Sequence, residues 1–187
     1  MAIAYLNPAA STTNSNWDET DVSYLAQGNT GNAWTTTANP ADLVVTLSDF
    51  DNTGVASIDS VQIIIVGNYN ARSGSWLANT DITDASGTSY YAENLTVPAG
   101  RTTSTITGTV RTTSNGSAAW TDSNLDGMKI RVLSLNCTNK GQLVQFYVKV
   151  IYTEATGYGN AVNGVASANI GKVNGVATAN IEKINGV

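Results

Sequence analysis

The sequence predicts an all-β fold, an antiparallel β-sandwich of jelly-roll type followed by a short repetitive tail. Three observations carry this. Apolar residues alternate with polar ones over many short runs, turn residues punctuate those runs, and no amphipathic helix of useful length is found. The runs lie within residues 1–156, read as one domain. A separate segment, 157–187, has a different texture.

The clearest strand is Val144–Tyr152, where Val144, Phe146, Val148, Val150 and Tyr152 alternate with Gln145, Tyr147, Lys149 and Ile151. Val61–Asn68 is apolar on both faces, as in a central strand covered on both sides or one bordering another subunit. Asp42–Leu47 places Leu43, Val45 and Leu47 on one face. In Lys129–Cys137 the apolar phase switches after Val132, which is what a β-bulge produces. Weaker strands are expected at Ala2–Leu6, Val22–Ala26, Trp76–Ile82, Ser89–Glu93 and Thr103–Arg111. The single helical turn expected in the body is Thr121–Gly127, capped by Thr121 or Asp122 and ended by Gly127.

After Thr156 an eleven-residue unit repeats. Asn163–Val173 is followed by Asn174–Ile184, and a third copy opens at Asn185. Each unit carries Asn-Gly, which suits a type I′ hairpin turn or a helix C-cap. The helical form offers a contact: with Gly175 as the left-handed residue, Val176 meets Ile170. Short helical turns joined by Asn-Gly corners are therefore expected. A thin apolar ribbon of this length cannot bury itself and needs a neighbour. The expected assembly contacts are Val165, Ile170, Val173, Val176, Ile181 and Ile184.

Composition excludes much chemistry. The 187 residues include no His and one Cys, so a Ser-His-Asp triad, a Cys-His dyad, a His-ligated zinc and a disulfide framework are all absent. Charged residues are 12% and the net charge is -5, with nine scattered basic residues and no basic stripe. No nucleic-acid partner is expected. The longest apolar run, Ile63–Val66, is too short to cross a bilayer, and the N-terminus has no signal-peptide pattern. No cofactor is expected.

Two constellations could carry a ligand. Asp49-Phe-Asp51-Asn-Thr-Gly54 partly matches a calcium loop, with Ser60 where a bidentate Glu belongs, so Asp49 and Asp51 are weak calcium candidates and an acidic turn is the plainer reading. Trp17, Trp34, Trp76 and Trp120 fall near strand ends. They either plug the open ends of a sandwich core or, at Trp34 and Trp120, stack on sugars. No pair among the fourteen acids stands out as a glycosidase pair.

The order of these features resembles a β-sandwich module of tailed-phage structural proteins. The residues concerned are Pro8 with Asn14–Trp17 and Asp18–Tyr24, then Ala56–Val66, Trp120–Leu125 leading into Lys129–Val132, and Val144–Tyr152. The tail is similar to Ile/Val-Asn-Gly-Val-Ala-x-Ala-Asn-Ile-x-Lys repeats of phage virion proteins. The resemblance implies a non-enzymatic virion component, made in the host cytoplasm, whose partners are other virion proteins and copies of itself as a homo-oligomer. It could be a capsid decoration or cement protein, a head fibre, or a tail or baseplate piece. The alternative is a carbohydrate-binding, host-recognition module of a phage particle.

Overall fold

The computed structural model describes residues 1–30, 33–36, 38, 40–69, 75–100, 102–114, 117–135, 137, 141–155, 172–173 and 176–177. Two five-stranded antiparallel sheets face each other. The first runs β1 (Ala2–Leu6), β10 (Gly141–Glu154), β5 (Val55–Tyr69), β8 (Ser104–Thr107), with β3 (Trp34–Thr36) also paired to β10. The second runs β2 (Pro8–Ser15), β4 (Ala41–Leu47), β9 (Lys129–Leu135), β6 (Ser75–Thr83), β7 (Ser89–Pro98). The sandwich class read from the sequence is the observed one.

The core follows from period-two alternation. Leu43, Val45 and Leu47 of β4 and Ile130 and Val132 of β9 face Ile63 and Ile65 of β5 and Phe146, Val148 and Val150 of β10, all essentially inaccessible. Large indoles close the ends of this layer; among the described residues the buried Trp17 Nε1 has no hydrogen-bond partner, and the other three ring N–H groups are paired. Trp34 Nε1 donates to the Asp21 carbonyl (3.1 Å), Trp76 Nε1 to Asn68 (3.2 Å) and Trp120 Nε1 to Arg111 (2.8 Å). The Trp76 bond ties the second sheet to the first.

Several local expectations are corrected. Val22–Ala26 is a 3-10 turn, Val22–Leu25, because Asp21 caps it by accepting the Ser23 N–H. Over Lys129–Leu135, the continuously described part of the Lys129–Cys137 run, the expected bulge is absent. β9 keeps unbroken register with both β4 and β6, with Ser134 taking an inward place while Leu133 and Leu135 lie half-buried on the outer face. The irregularities fall instead on β10, at Leu143/Gln145, Ile151/Tyr152 and Thr153/Glu154. The strand expected over Thr103–Arg111 stops at Thr107. Gly108 stays against β5, its N–H donating to the Ile63 carbonyl (2.9 Å) and its carbonyl accepting from Gln62 Nε2 (2.8 Å), and farther on Arg111 and Val61 exchange two 2.9 Å backbone bonds. Strands β2 and β3 have no clear sequence signature and add to the expected set.

The Thr121 turn forms as expected. The helix α1 (Asp122–Leu125) begins at Thr121, whose N–H donates to Asn124 Oδ1 (2.9 Å), and Gly127 follows at a φ of 66°. Here glycine is needed, since a side chain at positive φ is strained.

In the repeat segment, β11 (Lys172–Val173) and β12 (Val176–Ala177) pair antiparallel, Val173 opposite Val176 and Lys172 opposite Ala177. Two residues, Asn174 and Gly175, lie between them. The helical expectation is thus corrected to a β pairing in this copy. Asn-Gly is the strongest two-residue hairpin signal, and it outweighs the C-cap alternative here.

Candidate functional site

The turn Ser48–Gly54 and the segment Trp120–Gly127 are far apart in sequence and meet at one end of the sandwich. Asp51 Oδ1 accepts the Thr53 N–H (3.0 Å), a local Asx-type bond that shapes the turn. That bond, with the Thr53 side chain, holds the Asp51 carboxyl below its ordinary range. Asp49 Oδ1 instead reaches Gly127 N (3.3 Å). Asn52 Nδ2 donates to Asp122 Oδ2, and Ile58 forms an isolated bridge with Trp120.

Between these segments lies a cleft of about 330 Å³. Phe50, Val55, Ile58 and Trp120 supply its apolar lining, and Asn52, Ser57, Thr121 and Asp122 its polar lining. Trp120 is held in place by Tyr90 (ring centroids 5.5 Å apart, 78° between planes) and Tyr91 (6.3 Å, 53°), and Phe50 by Tyr152 (5.6 Å, 78°). Asp122 Oδ1 is shielded from solvent and has no hydrogen-bond partner. An unpaired acceptor of this kind is costly to keep. Asp122 is the one carboxylate among the lining residues. The polar groups of the cleft are thus Asn52, Ser57, Thr121 and a single carboxylate, and its lining does not bring together the two carboxyls of a glycosidase pair.

The sequence-derived candidates divide as follows. Asp49 and Asp51 flank the cleft without lining it, and their carboxylates are engaged by backbone N–H groups on different segments. Among the described residues no group of three His, Cys, Asp or Glu side chains converges, so the calcium candidate lacks a ligand set there. Trp34 is fully buried on β3, and Trp120 is 4% exposed. Trp34 is enclosed in the core, and Trp120, though part of the cleft lining, is almost wholly buried, so neither offers an open ring face of the kind the sugar-stacking expectation calls for. Val165, Ile170, Ile181 and Ile184 lie outside the described residues, and Val173 and Val176 are described through their backbone pairing alone. Sequence reasoning missed Asn52 and Asp122 as neighbours, because 70 positions separate them and nothing local marks the meeting.

No protein-family model matches the chain, and no curated protein matches it. Among solved structures, the enzymatically active domain of tailspike protein 4 of bacteriophage CBA120 is similar at 12% identity and a TM-score of 0.45. The match covers 80% of this chain and 19% of that one, so this chain spans about a fifth of the tailspike domain. The CBM35 from Cellvibrio japonicus Abf62 is similar at 14% identity and a TM-score of 0.42, covering 83% of this chain and 99% of that one. The expectation that the chain is not an enzyme is not kept, as the first of these neighbours is described as an enzymatically active domain. At that identity it assigns no activity here. The exclusion that remains is the narrower one set by composition, that of histidine-dependent chemistry.

Proposed function

We propose that the chain is a structural component of a tailed-phage particle, held in the assembly through residues 157–187. Capsid decoration or cement protein, head fibre, and tail or baseplate piece are the forms this takes. The observation that carries the reading is the antiparallel pair Val173–Val176. A two-residue ladder cannot stand alone in water. The same pattern recurs in sequence as Val162-Asn-Gly-Val165 and Ile184-Asn-Gly-Val187. A row of such units acquires stability by lying on another surface, and many weak copies hold by avidity. Val165, Ile170, Val173, Val176, Ile181 and Ile184 are the proposed contacts, and other virion proteins and further copies of the chain the proposed partners. Deletion of 157–187 is expected to give a folded sandwich that no longer enters particles, measured as copies per purified particle. Incorporation at the occupancy of the full chain would end the proposal.

A second reading, recognition of a host-surface glycan, is favoured by the cleft. Its Asn52, Ser57, Thr121 and Asp122 side chains beside an apolar lining suit hydroxyl-rich ligands. Binding on a glycan array that is lost in Asp122→Ala supports it. A blank array removes it.

A further inference from the structure

We infer that the flank formed by β1 and β2 is the surface on which two copies of this chain associate. The inference deepens the self-association part of the proposed function and is independent of the particle.

Both strands are sheet edges. Among the described residues β1 pairs with β10 alone and β2 with β4 alone. A single residue, Asn7, separates the two strands, so the free edges of both sheets run along one side of the sandwich. That side is also where apolar surface is left uncovered. Of the four large hydrophobic residues that are exposed among the described ones, Met1 (97%), Ile3 (51%) and Tyr5 (40%) belong to it. On β2, Pro8 is buried and every residue from Ala9 to Ser15 is exposed, so the strand overhangs the core instead of covering it.

Free edges in monomeric proteins are normally blunted by charge, by proline within the strand, or by a covering segment. Residues 1–17 carry no charged side chain, and the first is Asp18. Two bulge-like shifts, at Pro8/Ala10 and Ser11/Thr13, add twist but no charge. The opposite flank is finished differently. There the Glu93 carboxylate of β7 accepts the Thr109 N–H (2.9 and 3.1 Å), and Arg111 lies over the Tyr91 ring at 4.5 Å.

A second copy is the occupant these features fit. Two chains of net charge -5 repel, so contact is favoured where acids are few; β1 and β2 carry no charged side chain, although Glu19, whose carbonyl accepts from Asn14 Nδ2 (2.6 Å), stands beside the end of β2. Unpaired backbone groups on an edge call for another strand. A two-fold axis places β2 antiparallel to its own copy, and its Ala, Ser and Thr side chains are small enough for that approach. Ile3 and Tyr5 then supply the apolar part of the contact.

The test is sedimentation equilibrium of the purified full chain. The wild type is expected to be a dimer. Ile3→Lys with Ser11→Lys should weaken it roughly a hundredfold or more, since like charges set face to face across an interface are strongly disfavoured. Near-ultraviolet circular dichroism should stay native. Should the double variant unfold, Ser11→Lys alone, at an exposed position, serves in its place. Ile170→Lys with Ile181→Lys should leave the dimer intact. A monomeric wild type overturns self-association itself. A dimer that survives the flank variants, or is lost only in the repeat variant, overturns the assignment to this flank while leaving self-association standing.

Discussion

Tyr147 sits on the outer side of β10, 8% exposed, with its ring edge-on to Tyr5 at 5.6 Å. Burial, and then the neighbouring Tyr5, raise its phenol above the ordinary value near 10. The sign of the pH effect follows. Below about pH 10 the phenol is neutral in both folded and unfolded chains and costs nothing. Above it the unfolded chain loses the proton first, so the folded state is destabilised progressively until its own raised value is passed. Urea midpoints measured from neutral to alkaline pH should therefore fall as pH rises, and Tyr147→Phe should flatten part of that fall. An unchanged slope in the variant would count against the assignment. The same residue illustrates what alternation alone cannot reveal. The sequence places Tyr147 on the face opposite Phe146 and Val148, but its burial comes from Tyr5, which lies over 140 positions away.

At the scale of elements, the join between β5 and β10 is the most demanding. Gly67 pairs with Leu143 beside the shift between Leu143 and Gln145, and a Cβ built on it would stand 2.4 Å from the Gln142 carbonyl oxygen. The obstacle is backbone and cannot swing aside. Gly67→Ala is expected to cost about 1–3 kcal/mol, the usual range for overpacking, read as a lowered denaturant midpoint. Retention of the wild-type midpoint would mean that the bulge relaxes freely. Strands that bury alternate residues were legible: β4, β6 and β9 do so, and the predicted bounds of β1, β4, β6, β9 and β10 differ from the observed ones by a few residues at most. β2 was not legible, because a strand exposed on both faces has no alternation to read. β3 is three residues long, too short for a period. The repeat carried its hairpin signal openly, and the helical preference came from weighing an Ile–Val contact above the turn chemistry of Asn-Gly.

For the whole molecule, the pattern of apolar faces was enough to specify two packed sheets, but not which ends of the chain would meet. The cleft depends on the Ser48–Gly54 turn and on α1, which come together through tertiary pairing that no local spacing encodes. The four tryptophans marked the ends of the sandwich correctly. Their burial, with ring N–H groups of Trp34, Trp76 and Trp120 spent on backbone carbonyls, reserves them for holding the two layers together. The two flanks of the sandwich are unlike, one sealed by charge and hydrogen bonds and one whose edge strands carry no charged side chain and, among the described residues, pair on one side only.

β10 also has a mechanical meaning. It is bonded to β5 along nearly its whole length and to β1 over Leu6–Ala2, and Ala155 N is clasped by the Gly54 carbonyl at 2.7 Å. A pull applied beyond Ala155 is directed along this strand, so the hydrogen bonds on both of its sides resist sliding together and do not open one after another like a zip. The last strand of the sandwich is thus the one best built to carry tension.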